Sequence, residues 1–259
     1  MIHQLSSIHP EAKIGENVQI DAFVSIAKDV EIGDGTWIAS NAVVMEGARI
    51  GKNCKIFPGA VVAGLAQDLK YRGEYTTVEI GDNTTIRECV TVNRATSAKE
   101  VTRVGSNCLL MAYSHIAHDC QIGNSVIIGN GTGLAGEVEV DDFAIVSAMT
   151  GVHQFVHIGA HSFVQAMSKV GKDVPPYVMA GREPLVFSGL NSVGLKRRQF
   201  STEKIHEMQE IYRYIFQKGL NTSNAIEEVE KNVPESEERT LILDFIKNSP
   251  RGIIKGLVR

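Results

Sequence analysis

The chain lacks any run of about 18 apolar residues, the length a membrane-spanning helix needs, so no integral membrane segment is expected. Its opening stretch MIHQLSSIHPEAKIG has neither the basic start nor the apolar middle of a secretory signal, and the expectation is a soluble, cytoplasmic protein. Strong charge of one sign is also missing. There are 26 Lys and Arg against 30 Asp and Glu, a net charge of −4, which gives no global attraction to nucleic acid or to an anionic membrane. None of the four cysteines, Cys54, Cys89, Cys108 and Cys120, forms a CxxC pair, which argues against the common zinc and redox motifs.

What the chain has in quantity is a six-residue rhythm. From Ile8 to Val170 in steps of six, 25 of 28 positions are Ile, Leu or Val, where 65 such residues in 259 give about seven by chance. The failures, Asp68, Glu74 and Ala98, fall in the polar stretches DLKYRGEYTTVE and NRATSAKEVTR, which read as loops inserted into a regular body. Four residues after each station stands a small or β-branched residue in 27 of 28 cases, Arg72 being the exception. A helix scatters a six-residue stripe around its surface, and a plain strand repeats every two residues. Three short strands joined by tight corners make one triangular coil of 18 residues, and stacked coils align equivalent residues in ladders. The rhythm therefore predicts a mainly β protein, a parallel β-helix.

Glycine often follows the aliphatic station, as in Ile32-Gly33, Ile50-Gly51 and Ile122-Gly123, and is read as meeting a corner φ that a side chain resists. Cys54, Cys108 and Cys120 occupy the small inward station and are expected to be buried and reduced, whereas Cys89 has no assigned place. After Val174 the rhythm dissolves into PPYVMAGREPLVFSGLN, read as the end of the coils and a connecting segment. Ser201 then caps a helix carrying Ile205, Met208, Tyr212, Ile215 and Phe216 at helical spacing, with Gly219 as its stop. Further helices are expected within 223–232 and 235–248. The organisation is a β-helix over 1–190 and a helical subdomain over 191–259.

Histidine carries the chemistry. His115 and His118 sit together in SHIAHDCQIG, and two coils of 18 residues carry His118 through Gly136 to Gln154, beside His153. These residues should share one strip of wall. One reading makes neutral His118 a general base beside a backbone N–H, such as that of Gly136, that receives an oxyanion, which is acyl transfer. Another has three histidines hold zinc with an open water site, as in γ-type carbonic anhydrases. A third is a scaffold in which the histidines do nothing.

The blocks QDLKYRGE (67–74), HIAHDC (115–120), LAG (134–136), VDDFAIV (140–146), VHQF (152–155), DVPPYV (173–178) and GLKRR (194–198) resemble the UDP-N-acetylglucosamine acyltransferases. Their order and separation, with both insertions and the helical tail, extend the resemblance over nearly the whole chain. It implies a left-handed parallel β-helix assembled as a homotrimer, and transfer of an (R)-3-hydroxyacyl group from acyl carrier protein to the 3-hydroxyl of UDP-N-acetylglucosamine, at the start of lipid A synthesis. A 3-amino acceptor is an alternative within the class. No metal or separate cofactor is implied, because the acyl group arrives on the phosphopantetheine arm of the carrier.

The same resemblance makes His118 the catalytic base, Asp119 its support and Gly136 the oxyanion donor. Adjacency does not itself bring Asp119 to His118, since neighbours on a strand face opposite ways. The nucleotide sugar is expected among Gln67, Asp68, Lys70, His115, His153, Gln154, Asn191, Arg197 and Arg198, between neighbouring subunits. Phe163 and Ala166 are expected to line an acyl groove. The chain departs from the family pattern at Glu137, where histidine is usual, and in the length of the stretch around 180–190. The zinc reading fits less well, because the histidine spacing of that family differs from HIAHDC and the helical tail would have no purpose.

Overall fold

The computed structural model describes residues 1–256. Most aliphatic stations end a strand of two residues, such as His115–Ile116, and the chain turns a corner before the next. The strands form three sheets of nine, eight and ten members, parallel except for the last strand of the third, and these are the three faces of a left-handed prism. Partners on a face are 18 residues apart, as with His115 opposite Gly133 and Gly133 opposite Gly151. The spacing lengthens where loops intervene, so that Val61 faces Thr91.

The stations point inward and exclude water: Ile38, Ile56, Ile86, Leu110, Ile116 and Ile128 are fully buried, each contributing about 1.5–3 kcal/mol relative to exposure. The small stations seal the corners. The Thr36 hydroxyl donates to Gly51 O (2.9 Å) and accepts from Cys54 N (3.0 Å), and the Cys54 thiol reaches Gly81 O at 3.2 Å. Thr84 and Cys108 repeat the arrangement two coils on. Cys54, Cys108 and Cys120 are buried free thiols as expected, and burial pushes the Cys120 thiol up to about 12. Cys89 lies exposed at a corner.

The corner glycines serve a different purpose from the one their sequence suggests. Gly33 and Gly123 keep ordinary φ, and a Cβ on them would stand 2.6 Å from Gly51 C and 2.3 Å from Asp142 Oδ1. They are glycines because the next coil comes too close. The left-handed conformation falls two residues later, on Asn17, Asn53, Asn107, Asp119 and Phe143 among others, where Asn and Asp tolerate it best.

The stretch after Val174 is more ordered than a connector. Val178–Gly181 continues the third face beside Phe163–Val164, and Val186–Leu190 returns antiparallel to it. An antiparallel return carries no six-residue signal. A short helix missed in the sequence, α1 (Ser192–Arg197), follows, capped by Asn191. Then come α2 (Thr202–Gln217), α3 (Thr222–Asn232) and α4 (Glu237–Lys247), with Ser201, Asn221 and Ser236 accepting from first-turn N–H groups. Tyr212 of α2 is buried and donates to Pro176 O at 2.6 Å, and Phe245 of α4 lies 4.5 Å from the His157 ring, which docks the tail on the last coils. No helix among the described residues is long and apolar enough to cross a membrane.

Candidate active site

Four neighbouring strands of the first face, His115–Ile116, Gly133–Leu134, Gly151–Val152 and Lys169–Val170, form the floor of a cleft of about 690 Å³. His118, Gly136 and Gln154 stand two residues past three of these strands, at the corner leading to the second face, and line the same cleft with Gln67, His115 and His153. The ladder is continuous at the corner: Glu137 N donates to His118 O at 2.9 Å and Phe155 N to Gly136 O at 3.3 Å. The coil arithmetic therefore holds.

His118 is nearly enclosed, with 8% of its side chain exposed. Its Nδ1 lies 2.7 Å from Asp119 Oδ2, and Asp119 is completely buried. The Asp119 carboxylate also accepts from Thr96 N (3.0 Å), the Thr96 hydroxyl (2.8 Å) and Lys99 N (3.2 Å). A carboxylate only accepts, so Nδ1 carries the proton and Nε2 presents a lone pair to the cleft. Asp68 Oδ2 stands 3.8 Å from that Nε2, outside hydrogen-bond range. Both loops leave the same corner of the prism, after Val62 and after Val92. One sets Asp68 in front of the histidine and the other sets Thr96 and Lys99 behind its partner. Thr96 and Lys99 were not singled out in the sequence, where the only trace of them is the break in rhythm at Ala98.

Gly136 has two distinct features. A Cβ there would lie 2.4 Å from Nε2 and Cε1 of His118, so only glycine lets the ring lie against this strand end. Among the described residues its N–H also donates to nothing. At the corner between the second and third faces some of the equivalent N–H groups are capped, Glu16 by Asp34, Lys52 by Asp82 and Asn124 by Asp142, at 2.6–2.9 Å, whereas the carboxylate caps stop short of the corner that holds Gly136. The cleft thus holds an uncapped donor beside a base.

His115 accompanies them half-buried, its Nδ1 2.7 Å from the Thr91 hydroxyl; burial, and secondarily the neighbouring His118, hold its pKa below the ordinary value. Among the described residues no three His, Cys, Asp or Glu side chains are arranged to hold a metal ion.

The other sequence candidates lie elsewhere. Lys70 is exposed in the first loop, its N–H held by Asp68 Oδ1 at 2.8 Å, outside the cleft lining. Asn191 is buried at the start of α1, donating to His161 O at 2.9 Å. Arg198 donates to Phe143 O at 2.9 Å and holds its guanidinium 5.3 Å from the Phe143 ring, with Nη1 buried and, among the described residues, unpartnered; Arg197 is exposed beside it. This second group sits at the corner between the second and third faces, so one chain does not bring it to His118. Phe163 is half-buried on the third face and Ala166 exposed at the following corner, both outside the cleft.

A β-helix of hexapeptide coils with a base and a free N–H side by side defines a transferase of the hexapeptide class, and the bacterial transferase hexapeptide model matches residues 11–36, 29–64 and 102–136. The tail matches the second domain of UDP-N-acetylglucosamine O-acyltransferase over residues 173–254. An acyl-[acyl-carrier-protein]--UDP-N-acetylglucosamine O-acyltransferase of Thermodesulfovibrio yellowstonii is 44% identical, covering 98% of this chain and 99% of that one, and one of Aliivibrio fischeri is 46% identical over 98% and 100%. The crystal structure of a Bacteroides fragilis UDP-N-acetylglucosamine acyltransferase superposes with a TM-score of 0.97 at 53% identity, covering 98% of this chain and all of that one. The chain belongs to the UDP-N-acetylglucosamine O-acyltransferase family.

Proposed function

We propose that the protein transfers an (R)-3-hydroxyacyl group from acyl carrier protein to the 3-hydroxyl of UDP-N-acetylglucosamine, the first step of lipid A synthesis. The observation that carries this reading is the pairing of His118, with Nδ1 bound to Asp119 at 2.7 Å and Nε2 open to the cleft, with the uncapped N–H of Gly136. Nε2 takes the proton of the 3-hydroxyl as its oxygen bonds to the thioester carbon. The oxyanion so formed is received by the Gly136 N–H, while Asp119 stabilises the imidazolium. The C–S bond then breaks, and the leaving thiolate recovers the proton from His118. No metal or further cofactor enters the step, since the carrier's phosphopantetheine arm delivers the acyl group.

The nucleotide sugar is taken up by Gln67, Asp68, His115, His153 and Gln154 of one subunit together with Lys70, Asn191, Arg197 and Arg198, the last three from the neighbour in a homotrimer. Two features support sharing. The Arg198 group lies at another corner of its own chain and has a buried, unpartnered Nη1, which suits a diphosphate oxygen. The third face also carries an outward apolar ladder, Leu109, Ile127, Ile145, Phe163 and Met179, in register and only half-buried in one chain, a stripe that a second copy would cover. In such an assembly Phe163 and Ala166 border the neighbour's cleft, where the acyl tail would run. Both substrates are water-soluble, which supports a cytoplasmic location for the enzyme.

Incubation with UDP-N-acetylglucosamine and 3-hydroxyacyl carrier proteins of graded chain length, read by mass spectrometry, tests the reading. A 3-O-acyl nucleotide sugar with one preferred chain length is expected. No acyl product from any of them would overturn it.

A further inference from the structure

The loop that carries Asp68 reaches the cleft as a turn held by its own bonds. Asp68 Oδ1 accepts from Lys70 N at 2.8 Å and Asp68 O from Tyr71 N at 3.0 Å, while the Arg72 guanidinium donates to Leu69 O at 2.7 Å. These bonds fix the shape of the turn and leave Asp68 Oδ2 facing His118 Nε2 at 3.8 Å. They do not fix its place on the prism. Leu69 at the tip is 97% exposed, and among the described residues every hydrogen bond made by residues 67–72 ends within the loop itself, at or before Glu74.

Glu74 is the link to everything else. Its Oε2 accepts from Arg72 N at 2.7 Å, which closes the turn, and its Oε1 accepts from Ser97 N at 3.2 Å in the second inserted loop. Ser97 follows Thr96, whose N–H and hydroxyl hold Asp119, and Asp119 holds His118. A closed circuit results. It runs from Nε2 of the histidine across to Asp68, along the turn to Glu74, over to Ser97 and Thr96, and back through Asp119 to Nδ1 of the same ring. Beyond Glu74 the chain is firmly attached: the Tyr75 hydroxyl donates to Asp29 Oδ2 at 2.8 Å and accepts from Arg49 at 3.0 Å, and the Thr76 hydroxyl donates to Ala95 O at 2.7 Å. Glu74 is thus the joint between a fixed base and a hanging turn.

We infer that Glu74 is a positioning residue for the acyl acceptor, its carboxylate setting where Asp68 stands relative to the His118 ring. The inference rests on the acyltransferase reading, in which Asp68 meets the nucleotide sugar and His118 takes its proton, and deepens it. A carboxylate suits the joint because it only accepts and has two oxygens, one for each backbone N–H. Among the described residues neither Arg72 N nor Ser97 N has another acceptor. Without Glu74 the turn is released, and a displacement of about 1 Å at Asp68 is enough to spoil the alignment of the acceptor hydroxyl.

The test compares steady-state kinetics and melting temperatures of full-length Glu74→Ala, Asp68→Ala and the double variant. Glu74→Ala should raise KM for UDP-N-acetylglucosamine about tenfold or more while KM for the acyl carrier protein stays within about twofold. Because Glu74 acts through Asp68, the double variant should be no worse than Asp68→Ala alone. Glu74→Gln, which keeps the shape and one acceptor oxygen, should fall between wild type and Glu74→Ala. A glutamate that served only the stability of the loops would multiply its effect with that of Asp68→Ala and would not single out one substrate. Such multiplication, or an unchanged KM for the nucleotide sugar in Glu74→Ala, overturns the inference while the reaction stands. If wild type forms no acyl product, the acyltransferase reading itself fails.

Discussion

Asp119 accepts a hydrogen bond from Nδ1 of its own chain neighbour His118 at 2.7 Å, an arrangement that two adjacent strand residues cannot reach. The corner makes it possible. Asp119 takes a left-handed φ of 64°, which swings its side chain to the same side as the histidine ring. The carboxylate is then held from behind by Thr96 and Lys99 of the second inserted loop.

Replacing His118 by Ala removes the base and leaves the cleft walls standing. Turnover should fall about 10²-fold or more with KM for the nucleotide sugar little changed. Steady-state kinetics check this, and unaltered kcat would take His118 out of the mechanism.

Asp119→Asn places an amide N–H where the carboxylate received the His118 proton, which favours the other tautomer and removes the lone pair from the cleft side. The expected loss in kcat is about 10²-fold or more. Asp119→Ala should in addition lower stability by about 1–3 kcal/mol for each buried donor it strands, seen as a shift in urea midpoint.

Gly136→Ala keeps the backbone N–H but drives a methyl into the His118 ring, 2.4 Å from two of its atoms. The ring must move, and a displacement of that order costs about 10²-fold in kcat. Far-ultraviolet circular dichroism should be unchanged, since the φ at this position is ordinary.

If the site is shared between subunits, His118→Ala and Arg198→Ala damage different halves of it. Co-expressed with different tags and purified as mixed oligomers, the two inactive variants should regain activity, because some interfaces pair an intact cleft with an intact Arg198. Mixed oligomers as inactive as either parent would place Arg198 outside the shared site.

His161 gives a stability signature. It is stacked between Phe143 at 4.8 Å and Tyr177 at 5.5 Å, and burial, then the Arg198 charge, lower its pKa from 6.5 to about 4, with Asp142 opposing. Below 6.5 the unfolded chain takes up a proton that the folded state refuses until about 4, so stability should decline as pH falls through that window. His161→Phe keeps the stack and cannot be protonated. Denaturant titrations from pH 7 to 4 should show a shallower decline in the variant.

The sequence by itself determined the coil. Once stations recur every six residues and three strands close a turn, position in space follows from residue number, and His118, Gly136 and Gln154 must share a flank. The buried cysteines follow from the same count. Only the tertiary structure decided what is not periodic. The direction of Asp119 depends on a corner φ, and the places of Asp68 and Thr96 depend on loops whose course no repeat encodes. The antiparallel strand Val186–Leu190 and the distance of Arg198 from His118 depend on how the tail closes the last coils. A ladder is set by local arithmetic, whereas loops and side-chain directions are set by whichever long-range contacts satisfy their buried polar groups.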